Sequence, residues 1–169
     1  MTIRLLAEHD DPLALSLVYE ESWKYAYKGI IPQDYLDGIP RGRWAGSLNE
    51  AGRHTLVVTE GERIVGTSCC CRSRLPEMND WGEIISIYLL PEYMGKGYGR
   101  ALMTEAINML GEMGFEKFFL WVLEENHNAR GFYEKMGFKP SGRYLDDNIG
   151  GKALREMQYC LTDINKERL

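Results

Sequence analysis

A chain of 169 residues, 44% hydrophobic and 27% charged, suits one globular domain that buries about 68–70% of its unfolded surface. Its net charge of -5 speaks against a nucleic-acid partner, which favours a basic face. No apolar run is long enough to span a membrane and no signal-peptide pattern opens the chain, so a single cytoplasmic domain over 1–169 is expected.

Ile3–Leu6 reads as a short opening strand, closed by the turn-forming His9-Asp10-Asp11-Pro12. Pro12 at a first helical turn, with Asp10 or Asp11 as cap, starts a helix carrying Leu13, Leu17, Glu20, Glu21 and Trp23, which Gly29 ends. Pro32 opens a short helical piece with Tyr35 and Leu36, and Arg41–Asn49 is expected to form another. Thr55–Thr59 and Ile64–Cys71 read as a hairpin around Gly61. Within it, Cys69, Cys70 and Cys71 alternate between faces of a strand. They form no CxxC pair, and His9, His54 and His127 lack ligand spacing, so the cysteines are expected to be buried apolar residues and no metal is expected.

After the polar connection Arg72–Asp80, the run GEIISIYLL over Gly82–Leu90 is the pattern of a buried central strand, stopped by Pro91. Leu102, Met103, Ala106, Ile107 and Leu110 then recur at helical spacing, which places a helix start near Tyr98 or Gly99. Lys117–Leu123 is an apolar strand, and reaching it through a helix implies parallel pairing with the central strand. Asn126–Met136 is helical and capped by Gly137. Phe138–Leu145 and Ala153–Leu161 complete a hairpin with Asp146–Lys152 as a long polar tip. The order is β-α-α-β-β-β-α-β-α-β-β: an α/β domain with a mixed, mostly antiparallel sheet of about seven strands and helices on both faces.

Between the central strand and the next helix lie Gly95, Gly97 and Gly99. Glycines in such a turn let a ligand approach the main chain, and the free N–H groups of the following helix suit a pyrophosphate, with Lys96 and Arg100 at the rim. A Walker A loop is absent, and the third position of a dinucleotide fingerprint falls on Leu102, while a ligand-free turn stays open. The run Met94-Gly95-Lys96-Gly97-Tyr98-Gly99 resembles the acetyl-CoA-binding motif of the GNAT superfamily of N-acetyltransferases, Gln/Arg-x-x-Gly-x-Gly/Ala. Met94 departs from the usual Gln or Arg and keeps only its backbone N–H. A second block, ENHNARGFYEKMGF, resembles the superfamily's N-x-x-A-x-x-x-Y-x-x-x-G-F signature through Asn126, Ala129, Tyr133, Gly137 and Phe138.

The resemblance implies transfer of an acetyl group from acetyl-CoA, as cosubstrate, to a primary amine by direct attack. An alkyl amine of reference pKa about 10.4 is mostly ammonium at neutral pH, so a base is needed. Glu83, the sole charged side chain between Gly82 and Leu90, matches the glutamate base of the superfamily's histone-acetyltransferase members, and desolvation in an apolar strand would raise its pKa, while many relatives use a different base or a water chain. The alternative is an exposed glutamate at a strand edge. Leu89 and Leu90 fall where, in the superfamily, a bulge splays the central strand and a backbone N–H polarises the thioester carbonyl.

Tyr133 matches the tyrosine that protonates the leaving thiolate, and Asn126 a CoA-contacting asparagine. The residues alone would equally allow a buried structural tyrosine and a helix-capping asparagine. Trp23, Tyr27 and Tyr144 are expected near the acceptor, which is a small-molecule or peptide amine, and the protein is expected as a monomer or homodimer. Two other functions compete. One is a non-catalytic acyl-CoA-binding sensor or scaffold, which would need neither Glu83 nor Tyr133. The other is a nucleotide-binding regulator, disfavoured because no magnesium-holding Ser or Thr follows the glycine turn.

Overall fold

The computed structural model describes residues 1–47 and 50–162. Seven strands, β1 (Thr2–Leu5), β2 (Arg53–Glu60), β3 (Arg63–Arg72), β4 (Gly82–Leu89), β5 (Phe118–Leu123), β6 (Lys139–Ile149) and β7 (Lys152–Leu161), form one sheet in the order β1-β2-β3-β4-β5-β7-β6. Among the described residues four α-helices connect them: α1 (Pro12–Ala26), α2 (Gln33–Asp37), α3 (Tyr98–Glu112) and α4 (His127–Lys135). Every pairing is antiparallel except β4 with β5, where the α3 crossover imposes the parallel direction. Element order and mixed sheet are those expected from the sequence.

Helix α1 starts where a proline at its first turn needs no donor, and the Asp11 carboxylate accepts from the Leu13 N–H at 2.9 Å. Its Tyr19 packs on Tyr88, on the sheet face that also carries Glu83 and Ser86. Leu110 of α3 packs near Gly82 and Phe118 on the opposite face. The strand β3 lies between covered faces, so all three of its cysteines are buried.

Two segments differ from expectation. Residues 41–47 form successive turns rather than a helix, and the last two residues of that expected element lie outside the described residues. Buried Glu20 of α1 explains the turns: its carboxylate accepts from the Gly42 N–H at 2.8 Å and from the Ser16 hydroxyl, which in turn accepts from the Trp44 N–H. The 146–152 stretch is not a long loop either. Its polar residues extend edge strand β6 to Ile149, and Gly150-Gly151, with φ 62° and 85°, make a two-residue turn into β7. The tip rests on α2, where a Cβ on Gly150 would come within 2.7 Å of the Tyr35 Cβ.

The β1–α1 turn is fixed by Asp10, whose carboxylate accepts from Arg4 Nη1 and Nη2 at 2.6 and 2.7 Å and from the Ala7 N–H at 2.7 Å. These bonds, Arg4 foremost, hold the Asp10 carboxyl down to about 2 against the opposing effect of burial. A carboxylate with a lowered folded pKa stabilises above its unfolded pKa and loses that effect as pH falls towards the folded value. Asp10→Asn is expected to cost about 1–2 kcal/mol at pH 7. The difference in melting temperature from the parent should close between about pH 4 and pH 2, as melting curves across pH would record.

Candidate functional site

A central strand of a seven-stranded sheet should be buried throughout, yet β4 is buried only at its ends and half-exposed from Ile85 to Tyr88. Pairing explains this. Strand β4 keeps its partner β5 only through Gly82↔Phe118, Glu83↔Phe119 and Ile84↔Leu120. On its other edge Cys70 pairs with Ile84 and Cys69 with Ser86, so Ile85 is an unpaired bulge residue. Beyond the bulge β4 bends away from β5 and a cleft opens between them.

Backbone groups of β4 alternate between its two edges. The Leu90 N–H donates to Val65 O at 2.8 Å and is therefore turned to β3, which leaves the Leu89 N–H on the cleft side. Of the two backbone donors singled out from the sequence, only that of Leu89 faces the opening. The Leu89 carbonyl accepts from the buried Ser22 hydroxyl of α1 at 2.6 Å, so the Leu89–Leu90 peptide is held at both ends, to α1 and to β3.

At the end of β4 the chain turns through Pro91–Tyr93 into the glycine stretch. Gly95 and Gly97 have φ 72° and 89°, conformations that side chains resist, and a Cβ on either would meet no protein atom within 4 Å. Gly97 is the N-cap of α3 and offers no side chain to its first turn, so the N–H groups of Tyr98 and Gly99 are left without a side-chain cap. A concave, glycine-walled helix N-terminus of this kind fits a diphosphate.

Gly99 serves differently, since its Cβ would lie 3.4 Å from Leu89 and 3.6 Å from Phe132, a close packing of α3 on its neighbours. The Met94 N–H is engaged with Pro91 O at 3.2 Å, and Lys96 lies over the Tyr93 ring at 5.6 Å. The Tyr98 hydroxyl donates to Glu60. Asn126 is buried and caps α4, its Oδ1 accepting from the Ala129 N–H at 3.1 Å.

Tyr133 of α4 lies among Phe132, Phe138 and Tyr159, with ring centroids 5.4, 6.2 and 6.5 Å away. No described residue gives its hydroxyl a hydrogen bond, and no fully buried polar side-chain atom among the described residues lacks a partner. The hydroxyl oxygen is therefore not fully enclosed by protein. Burial, and after it Tyr88, pushes the phenol well above its ordinary range.

Glu83 is 2% exposed, and both its oxygens are occupied. Arg74 donates from its backbone N–H at 3.0 Å, from Nε at 3.1 and 3.2 Å, and from Nη2 at 2.6 Å. A carboxylate so engaged must give up charge-assisted bonds to accept a proton.

On the same face, α1 and β4 build an aromatic wall. Trp23 Nε1 donates to the Tyr88 hydroxyl at 3.1 Å, and Trp23 meets Tyr27 edge-on at 4.9 Å. The Tyr27 and Tyr88 hydroxyls interact, and burial raises both phenols. Trp23 and Tyr27 are thus brought to the cleft, and Tyr144 is not. Its register partner Met157 packs with the core on the other face, and Arg155 covers the Tyr144 ring at 5.4 Å. Sequence reasoning passed over Tyr88, a polar-tipped residue in an otherwise apolar strand, where the hydroxyl itself was the signal.

Residues 15–138 match the Acetyltransferase (GNAT) family. The chain belongs to the GNAT family. It is 30% identical over 163 residues to an uncharacterized N-acetyltransferase, YuaI, of Bacillus subtilis, covering 94% of this chain and 92% of that one. It is 28% identical over 154 residues to the spermidine N(1)-acetyltransferase of Thermoplasma acidophilum, covering 89% and 92%. To the [ribosomal protein bS18]-alanine N-acetyltransferase of Haemophilus influenzae it is 34% identical over 116 residues, covering 66% and 75%. The crystal structure of the PaiA N-acetyltransferase from T. acidophilum in complex with coenzyme A shares the fold, with a TM-score of 0.70 at 23% identity, covering 94% of this chain and 98% of that one. The protein is accordingly an acetyl-CoA-dependent N-acetyltransferase of the GNAT family.

Proposed function

We propose that the β4/β5 cleft is the acetyl-transfer site and that its acceptor is a primary amine entering from the Trp23–Tyr27–Tyr88 side. The observation that carries this reading is the half-exposed middle of β4, which leaves the Leu89 N–H unpaired by β5 beside a glycine-walled helix N-terminus. Acetyl-CoA supplies the thioester. The α3 amides and Gly95–Gly99 hold its diphosphate, the Leu89 N–H draws charge from the carbonyl oxygen, and Tyr133 delivers a proton to the departing sulfur. A phenol raised by burial is a weaker donor, but the same dry surroundings raise the basicity of a thiolate. The test is calorimetric titration with acetyl-CoA followed by a screen of primary amines for CoA release. Absence of binding in the folded protein would overturn the reading.

Glu83 holds Arg74 in this arrangement, and a base role requires Arg74 to leave it. Glu83→Gln is expected to cost about 1–3 kcal/mol of stability through loss of a charged hydrogen-bond pair. The acidic limb of its pH–rate profile should stay where it is. A flattened limb in the folded variant would restore Glu83 as the proton acceptor.

A further inference from the structure

Glu156 is a half-buried carboxylate that neither the sequence pattern nor the assignments above use. Its place follows from register: Leu123↔Glu156 on β5 and Leu145↔Glu156 on β6. Residues paired across a sheet share a face, and Leu123 packs in the cluster that contains Trp23 and Tyr27. Glu156 therefore faces the aromatic wall. Its β5 partner Leu123 lies three residues beyond Leu120, the last β5 residue that β4 still pairs, which puts Glu156 level with the open part of the cleft.

The charged and titratable groups around Glu156 come from five segments. Asp147 on β6 and Arg74 from the β3–β4 connection act on its carboxylate, and its own charge acts on Tyr27, which caps the end of α1, and on Tyr88 of β4. Tyr133 of α4 lies within electrostatic reach of both phenols. Arg74 is bound to Glu83, so that pair is close to neutral. No described residue gives the Glu156 carboxylate a hydrogen bond or an ion pair, unlike Glu20, Glu83 and Asp10. Burial and Asp147 raise its pKa, Arg74 opposing. The cleft wall thus carries one under-compensated carboxylate among rings that also attract cations.

We infer that Glu156 receives the ammonium of the acceptor and takes its first proton, so that the acceptor is a cationic primary alkylamine. This rests on the acetyl-transfer reading of the cleft. Glu156 accepts one proton from the ammonium, and the freed amine nitrogen forms the C–N bond to the thioester carbon as the C–S bond breaks. Tyr133 gives its proton to the sulfur and recovers one from the now positive nitrogen, directly or through water. Glu156 then releases its proton to solvent, so that ammonium and thioester become amide, thiol and one free proton.

The experiment measures acetyl-CoA affinity by calorimetry and CoA release with 1,4-diaminobutane, spermidine and an alanyl tripeptide for the parent, Glu156→Gln and Glu156→Asp. For Glu156→Gln we expect kcat/KM with the diamine and triamine to fall at least about 10²-fold, with acetyl-CoA affinity unchanged. Its acidic limb should be lost, and Glu156→Asp should regain part of the rate with the limb displaced. A merely structural glutamate would give neither the lost limb nor the rescue. An acid limb unmoved in Glu156→Gln, or kcat/KM within threefold of the parent, would overturn the inference. So would a parent protein that binds acetyl-CoA and acetylates only the tripeptide, or none of the three. A parent that fails to bind acetyl-CoA would withdraw the acetyl-transfer reading first and this inference with it.

Discussion

Tyr133→Phe is expected to lower turnover by about 10²–10⁴-fold if proton delivery to the leaving sulfur limits the rate. The ring has a packing role that phenylalanine keeps, against Phe132, Phe138 and Tyr159. The hydroxyl bonds to no described residue, so its removal forfeits no internal hydrogen bond. Melting temperature should stay within a few degrees of the parent or rise slightly, because a desolvated phenol becomes a plain ring. If release of product limits the parent enzyme, the loss in turnover shrinks and reappears in single-turnover measurements. Near-parental single-turnover rates in a folded variant would remove Tyr133 from the chemistry and leave it as a packing residue. Acetyl-CoA affinity serves as the control and should be unaltered.

What could be read from the sequence divides along a physical line. Periodicity in GEIISIYLL, in the α3 repeat and in KFFLWVL reports burial, and with it the strand–helix–strand unit that flanks the cleft. Contacts between segments far apart in sequence leave no such trace. Arg74 stands nine residues before Glu83 across a polar connection, and nothing in that connection marks it as the partner that closes over the carboxylate.

Glu156 was hidden for a related reason. In KALREMQYCL the charged residues Arg155 and Glu156 are adjacent, so one must face the cleft, and only register says which. The turns at 41–47 answer to Glu20, whose position on α1 gave no hint that it reaches Gly42. Tyr144 failed for want of the same information. An exposed aromatic in an edge strand can face either side, and Arg155 and Met157 hold it on the side away from the acceptor. The glycine turn was legible because positive φ is a demand that sequence does record.

That turn carries the other large expected effect. Gly97→Val should raise the dissociation constant for acetyl-CoA by more than about 10²-fold, because two consequences act together. At φ 89° a β-branched side chain strains the backbone by about 1–3 kcal/mol, which tends to rotate the first amides of α3 out of line. Its Cβ would also stand in space that no protein atom occupies, in front of the helix N-terminus where a diphosphate must come within hydrogen-bond reach. Strain alone is separable from blockage by a matched control. Gly142 in β6 has φ 85° and an equally open surround, but lies on the edge strand away from the turn. Gly142→Val should therefore cost comparable stability and leave acetyl-CoA affinity within about twofold, whereas Gly97→Val should lose both stability and binding. Calorimetry on the two folded variants distinguishes the outcomes. Equal affinities would mean that the glycine turn is a tight connection from β4 to α3 and that the diphosphate is held elsewhere.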